Sequence, residues 1–262
     1  MSKGVDFVVG EDGIALVRVN RPAARNALSW AAQEAFAAAI TAAGRNEAIR
    51  VLIITGASGS FVSGGDLKEL AGHPEAAAGE RLNRVMSAAL AQLADLPFPV
   101  IAAVDGDAVG GGCEILTACD LRIASAGARF AFRQVNNGLT TGWGGTARLV
   151  ALIGQARAME LLLTGRAFDA EEALALGLIH RVAPPGVEAL AAAYDWAGEL
   201  RRLPRQALAA IKTLVYAATH LPAPDANRLE AQLFTHLWPS SDHIEAMNAF
   251  AQKRTPQFNR NS

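Results

Sequence analysis

The chain has 262 residues, enough for one large α/β domain, or a domain with a small appendage, and for a sizeable core without disulfides. Hydrophobic residues make up 51% and charged residues 19%, which excludes a disordered chain. The formal net charge of −1, with no basic cluster, argues against nucleic acid or an anionic membrane as a partner.

Cys113 and Cys119 lie six residues apart. On a helix they would point roughly 240° apart and could not pair, which fits a reducing compartment. There is no CxxC, and the five histidines are scattered, so no metal site is expected. The first ten residues lack a basic segment followed by an apolar run, and no stretch reaches the roughly 20 apolar residues of a membrane span. A cytoplasmic protein is expected.

In chain order, Val5 to Gly10 and Ile14 to Val19 read as a hairpin turned by Glu11-Asp12-Gly13. Ser29 caps a predicted helix to about Glu47, with Ala32, Phe36, Ala39, Ile40 and Ala43 on one face. A short apolar strand, Arg50 to Thr55, leads into a Gly/Ser-rich loop. Predicted helices cover Asp66 to Leu70 and Gly79 to Asp95, and Pro97 and Pro99 precede the strand Val100 to Val104. A second glycine turn, Gly110 to Gly112, opens a helix to about Ala118, and Leu121 to Ala124 is another strand. Strand, glycine loop and helix therefore alternate, which means an α/β fold.

The second half reads mostly as helix: 144–152, 155–163, 170–176, 187–203, 205–219, 226–237 and 242–253, with a short strand over 178–182. Pro184-Pro185-Gly186 is the candidate hinge. It divides a core over 1–185 from a helical subdomain over 186–262, whose apolar stripes suggest packing on another subunit.

The chemistry points to two glycine loops, Phe61 to Leu67 and Val104 to Glu114. Each follows a buried strand and opens a helix. Glycines there let backbone approach a ligand and leave N–H groups free at a helix start. Two such amides aimed at one oxygen form an oxyanion hole, although the same glycines also serve plain tight turns. Gly56-Ala57-Ser58-Gly59-Ser60 misses the last glycine of a nucleophile elbow, and neither a Walker motif nor a GxGxxG after a strand is present.

The segment Ala102 to Asp120, with its glycine triplet, Cys113-Glu114 and Cys119-Asp120, resembles the signature of the crotonase (enoyl-CoA hydratase/isomerase) superfamily. Further segments resemble family motifs in the same order along nearly the whole chain. They are Asn20-Arg21-Pro22 with Asn26-Ala27-Leu28, Ser63-Gly64-Gly65-Asp66-Leu67, Gly144-Gly145-Thr146 with Arg148-Leu149, Leu163-Thr164-Gly165, and Phe250 with Lys253-Arg254. The resemblance implies a spiral of ββα turns followed by a helical subdomain, assembled as a trimer or a dimer of trimers. It implies a coenzyme A (CoA) thioester as substrate and no separate cofactor.

It also implies residue roles. The amides of Ser63 and Gly111 would hold the thioester oxygen, Glu114 would act as the base, and the Gly142 amide could hold a water. Trp143 would shape the acyl pocket. Ala24, Arg25, Gly65, Asp66 and Leu67 would contact CoA, and Phe250 and Lys253 would reach the CoA of a neighbouring subunit. One departure matters. The position of the family's second catalytic glutamate is Gln134, which orients water but moves no proton as an acid or base. Enoyl-CoA hydratase or isomerase chemistry is expected. The alternatives are decarboxylation of a malonyl-type thioester and a catalytically silent acyl-CoA binder.

Overall fold

The computed structural model describes residues 3–259. Its main sheet holds six strands in the order β1-β2-β3-β4-β6-β9. The first two, β1 (Val5–Val9) and β2 (Ile14–Val19), form the antiparallel hairpin. The rest join in parallel: β3 (Val51–Gly56), β4 (Val100–Val104), β6 (Leu121–Ala124) and β9 (Arg181–Val182). Every residue of β4, and all of β3 except its last, is buried, as a parallel strand covered on both faces requires.

One face of the sheet carries the larger core. There α1 (Trp30–Gly44) and α3 (Ala76–Ala94) pack side by side, with Phe36, Ile40, Met86, Leu90 and Leu93 buried. Ser29 caps α1 by accepting from the Ala32 N–H at 3.3 Å, and α1 stops at Gly44 rather than near Glu47. The other face is closed by α8 (Ala189–Leu200). Its Ala189, Ala193, Trp196 and Ala197 cover Ile14, Val51, Ile53, Ile101 and Ile123. Asp105, just after β4, accepts from the Ala189 N–H at 2.7 Å and the Leu190 N–H at 3.3 Å, which ties the start of α8 to the sheet.

Two further features depart from the sequence reading. A second sheet, β5 (Asp107–Val109), β7 (Arg129–Ala131) and β8 (Phe168–Asp169), is built from strands too short to show a period of two. The expected strand over 178–182 shrinks to β9. The Leu178 and Ile179 N–H groups both bond back to the Ala173 carbonyl of α7 (Ala170–Ala175), so they leave the ladder to close that helix.

Beyond the sheet run α9 (Arg205–His220), α10 (Ala223–Leu237) and α11 (Ser241–Ala251). Lys212 of α9 anchors this tail through a 2.8 Å ion pair with Asp120 and a 3.3 Å bond to the Phe98 carbonyl. None of the residues of α10 is buried, and Val215, Phe234, Trp238, Met247 and Phe250 are exposed. The α11 helix ends two residues before Lys253, which takes a left-handed conformation (φ 52°) while the Arg254 N–H bonds to the Ala249 carbonyl.

Asp105→Ala removes the cap of α8. It should cost about 0.5–2 kcal/mol and lower Tm by about 2–4 °C per kcal/mol in a chain of this size. Calorimetry of the purified variant checks this.

Candidate active site

Short polar and backbone contacts pin the two glycine loops together. Asn26 is buried. It accepts from the Arg21 N–H at 2.9 Å and donates to the carbonyls of Ala57 and Ser60, each at 2.8 Å. Leu28 and the first loop bridge in parallel: the Leu28 N–H bonds to the Gly64 carbonyl at 2.7 Å, and the Asp66 N–H to the Leu28 carbonyl at 3.0 Å. The second loop lies against the first. The Phe61 N–H bonds to the Asp107 carbonyl at 3.1 Å, and the Val109 N–H to the Val62 carbonyl at 3.0 Å.

At this junction α4 (Gly111–Thr117) begins. A side chain at Gly111 would force the Trp143 ring to move, because its Cβ would stand 2.1 Å from that ring. Trp143, 4% exposed, therefore packs directly on the loop backbone. Neither the Ser63 N–H nor the Gly111 N–H bonds to an acceptor among the described residues.

Glu114 sits in the first turn of α4 and is buried, 2% exposed. Four N–H groups converge on its carboxylate. Oε1 accepts from Gln134 Nε2 at 3.0 Å and from the Gly142 N–H at 3.2 Å. Oε2 accepts from the N–H groups of Trp143 at 2.7 Å and Gly145 at 2.9 Å. A carboxylate has about four lone-pair sites, so all of them are used. The approach is close enough that a Cβ on Gly145 would meet Glu114 Cγ at 2.5 Å.

The loop that supplies these donors is itself held. Asn83 and Ser87 of α3 both donate to the Gly142 carbonyl, Ser87 at 3.2 Å. Arg148, in α5 (Gly145–Ile153), donates to the Trp143 carbonyl and to Thr117 Oγ1. Burial pulls the Arg148 guanidinium below its usual range, and the Glu114 carboxylate is the leading charge opposing that pull.

Cys113, next to Glu114, is not a nucleophile. Its thiol donates to the Ala108 carbonyl at 3.0 Å, and burial pushes it up to about 12. Cys119 is likewise buried, free and pushed up to about 12, chiefly by burial. Among the described residues no three His, Cys, Asp or Glu side chains form a group that could hold a metal ion.

A cleft of about 1080 Å³ opens over this centre. It is lined by Ser63 and Gly111, by Glu114, Gln134, Gly142 and Trp143, and by Ala24, Arg25, Gly65, Asp66 and Leu67. Within it Asp66 has structural work: it pairs with Arg21 at 2.9 Å and caps α2 (Leu67–Leu70) through the Lys68 N–H. Phe250, 87% exposed, and Lys253 are not among the residues lining this cleft.

The sequence reading missed Asn83, Ser87 and Lys68. The first two carried one visible signal, two polar residues four apart on an otherwise apolar helix face. Lys68 lines the cleft one residue past the recognised loop motif.

A buried carboxylate under two unbonded loop amides, in this spiral of strands, helices and glycine loops, defines an acyl-CoA thioester enzyme of the crotonase fold. The family model described as enoyl-CoA hydratase/isomerase matches residues 10–261, and the chain belongs to that family. It is 36% identical over 252 residues to the 2,3-dehydroadipyl-CoA hydratase of Escherichia coli (strain K12), covering 96% of this chain and 97% of that one. It is 34% identical over 255 residues to the crotonyl-CoA hydratase of Syntrophomonas wolfei, covering 95% of each. The crystal structure of an enoyl-CoA hydratase from Bacillus anthracis superposes with a TM-score of 0.92 at 31% identity, covering 97% of this chain and 98% of that one.

Glu114→Gln puts an NH₂ among four donors, so one donor must face another. The variant should lose about 1–3 kcal/mol of stability and about 10²-fold or more in turnover. A melting curve beside a rate assay tests both. Unchanged Tm and turnover would remove Glu114 from the chemistry and from the scaffold.

Proposed function

We propose that this enzyme hydrates or isomerises an enoyl-CoA thioester. The thioester oxygen accepts from the N–H groups of Ser63 and Gly111, which form the oxyanion hole. Taking a proton from the α-carbon, or adding water to the double bond, puts charge on that oxygen. Fixed backbone donors stabilise it without titrating, and one such donor is worth about 10²–10³-fold in rate. Glu114 carries the proton. The single observation behind this reading is the Glu114 carboxylate in the same cleft as two loop amides that lack acceptors.

For Glu114 to take a proton, one of its four donors must yield an acceptor site. Three of the donor residues, Gln134, Gly142 and Trp143, line the cleft, and the longer bonds are those of Gln134 and Gly142 to Oε1. Gln134 then orients water or substrate. CoA arrives as part of the substrate, so the reaction needs no further cofactor. Ala24, Arg25, Gly65, Asp66 and Leu67 line the CoA end, and Trp143 bounds the acyl end.

A second reading has a specific observation in its favour. Gln134 stands where a second carboxylate would be, and the protein fills every acceptor site of Glu114. Decarboxylation of a malonyl-type thioester needs no protein base. The C–C bond breaks, carbon dioxide leaves, and the electron pair enters the enolate under the same amides.

The exposed apolar side chains of α9 to α11 support assembly as a trimer or a dimer of trimers, with Phe250 and Lys253 reaching the CoA of a neighbouring subunit. No helix among the described residues is long and apolar enough to cross a membrane. Two buried free thiols suit a cytoplasmic setting.

Incubating the protein with enoyl- and carboxyacyl-CoA thioesters and weighing the products separates the readings. Hydration adds the mass of water, and isomerisation keeps the mass but moves the double bond. Loss of carbon dioxide alone would install the decarboxylase, and no product at all would leave a binder. In light scattering a trimer or hexamer is expected at micromolar concentration. A monomer there would reject the assembly.

A further inference from the structure

The segment after β7 carries Arg133, Gln134, Asn136 and Asn137 along the cleft wall. Gln134 touches the Glu114 carboxylate at 3.0 Å, so this segment runs beside the reacting centre. Arg133 stands apart from most of the charged side chains lining the cleft. Arg21 is bound to Asp66, Glu69 accepts from the Trp30 N–H, and Glu114 is filled by four donors. Arg133 is exposed, and no carboxylate or carbonyl among the described residues takes its N–H groups. Arg25 and Lys68 also line the cleft without a partner. They come from the loops assigned to the CoA end, whereas Arg133 is the one charged residue of the stretch 133–143.

A guanidinium is a planar fork of donors matched to a carboxylate. A neutral acyl tail passing this wall would gain nothing from it. A carboxylate at C2 would stand nearest Glu114 and meet like charge. A carboxylate several carbons further along stands away from Glu114, on the wall where Arg133 lines the same cleft. We infer that the acyl group taken by this enzyme carries a carboxylate several carbons beyond C2, which pairs with Arg133. The side chains of Asn136 and Asn137 add polar lining on the same wall. This inference rests on the placement of the acyl end given under the proposed function.

The test uses the full chain and saturated thioesters that cannot react: adipyl-CoA against hexanoyl-CoA, which match in length, and free CoA. Titration calorimetry should show adipyl-CoA bound about five- to tenfold more tightly than hexanoyl-CoA by the wild type, as one charge-assisted bond allows. The ratio should narrow as salt is raised. Arg133→Gln should bring it to about one while leaving hexanoyl-CoA and free CoA within about twofold of wild type, and Arg133→Lys should restore part of it. A wild-type ratio of one or less, or a ratio that survives in Arg133→Gln, overturns the inference. A loss of free CoA affinity in Arg133→Gln with the ratio unchanged also overturns it, making Arg133 a phosphate contact. If the wild type hydrates a neutral enoyl-CoA while its ratio is one, only this inference falls. If no thioester binds, the proposed function falls with it.

Discussion

Four N–H groups from three segments of chain meet on the carboxylate of Glu114, and much of the surrounding structure exists to bring them there. A buried carboxylate without donors would cost several kcal/mol. Here the donors are backbone N–H groups of a loop and of a helix start, plus one side-chain amide. Backbone donors cannot rotate away, so their positions must be set by what holds the loop. Asn83 and Ser87 from α3 and Arg148 from α5 hold it at its carbonyls. The Glu114 centre therefore ties together α3, α4, α5 and the turn after β7.

The same constraint explains the small residues around the site. Helix α4 can approach the Trp143 ring only because Gly111 lacks a side chain, and α5 can approach Glu114 only because Gly145 does. Close approach and four donors hold the Glu114 carboxylate in one position. At the junction of the two loops the Ser63 and Gly111 amides bond to no acceptor among the described residues. The contacts that seat the loops also leave these two N–H groups at the cleft.

Charge in the cleft is divided. Near the first glycine loop the Arg21–Asp66 pair holds the loop, and Arg25 and Lys68 line the cleft without such a pair. Beside Glu114 the cleft wall carries Gln134, a neutral amide, and Arg133, the residue before it. The departure from a two-carboxylate site is therefore not a loss of polarity. The position that resembles the family's second glutamate holds a neutral amide next to a positive charge.

The order of elements, the hairpin, the buried strands and both glycine loops were legible in the sequence, because they rest on local rules: apolar runs, caps, and glycine where backbone must come close. The sequence also singled out Glu114 and Gln134, through motif resemblance rather than spacing. It did not show the small sheet of β5, β7 and β8, whose strands of two or three residues are defined only by their partners. It did not show that residues 178 and 179 would close α7 instead of extending a strand. Nor could it show that Gln134, Gly142, Trp143 and Gly145 would donate to one side chain 20 to 31 residues earlier. Local sequence determines which groups can donate and which turns can form. Only tertiary packing decides which of them meet, because convergence on one carboxylate depends on distances between elements that share no local signal.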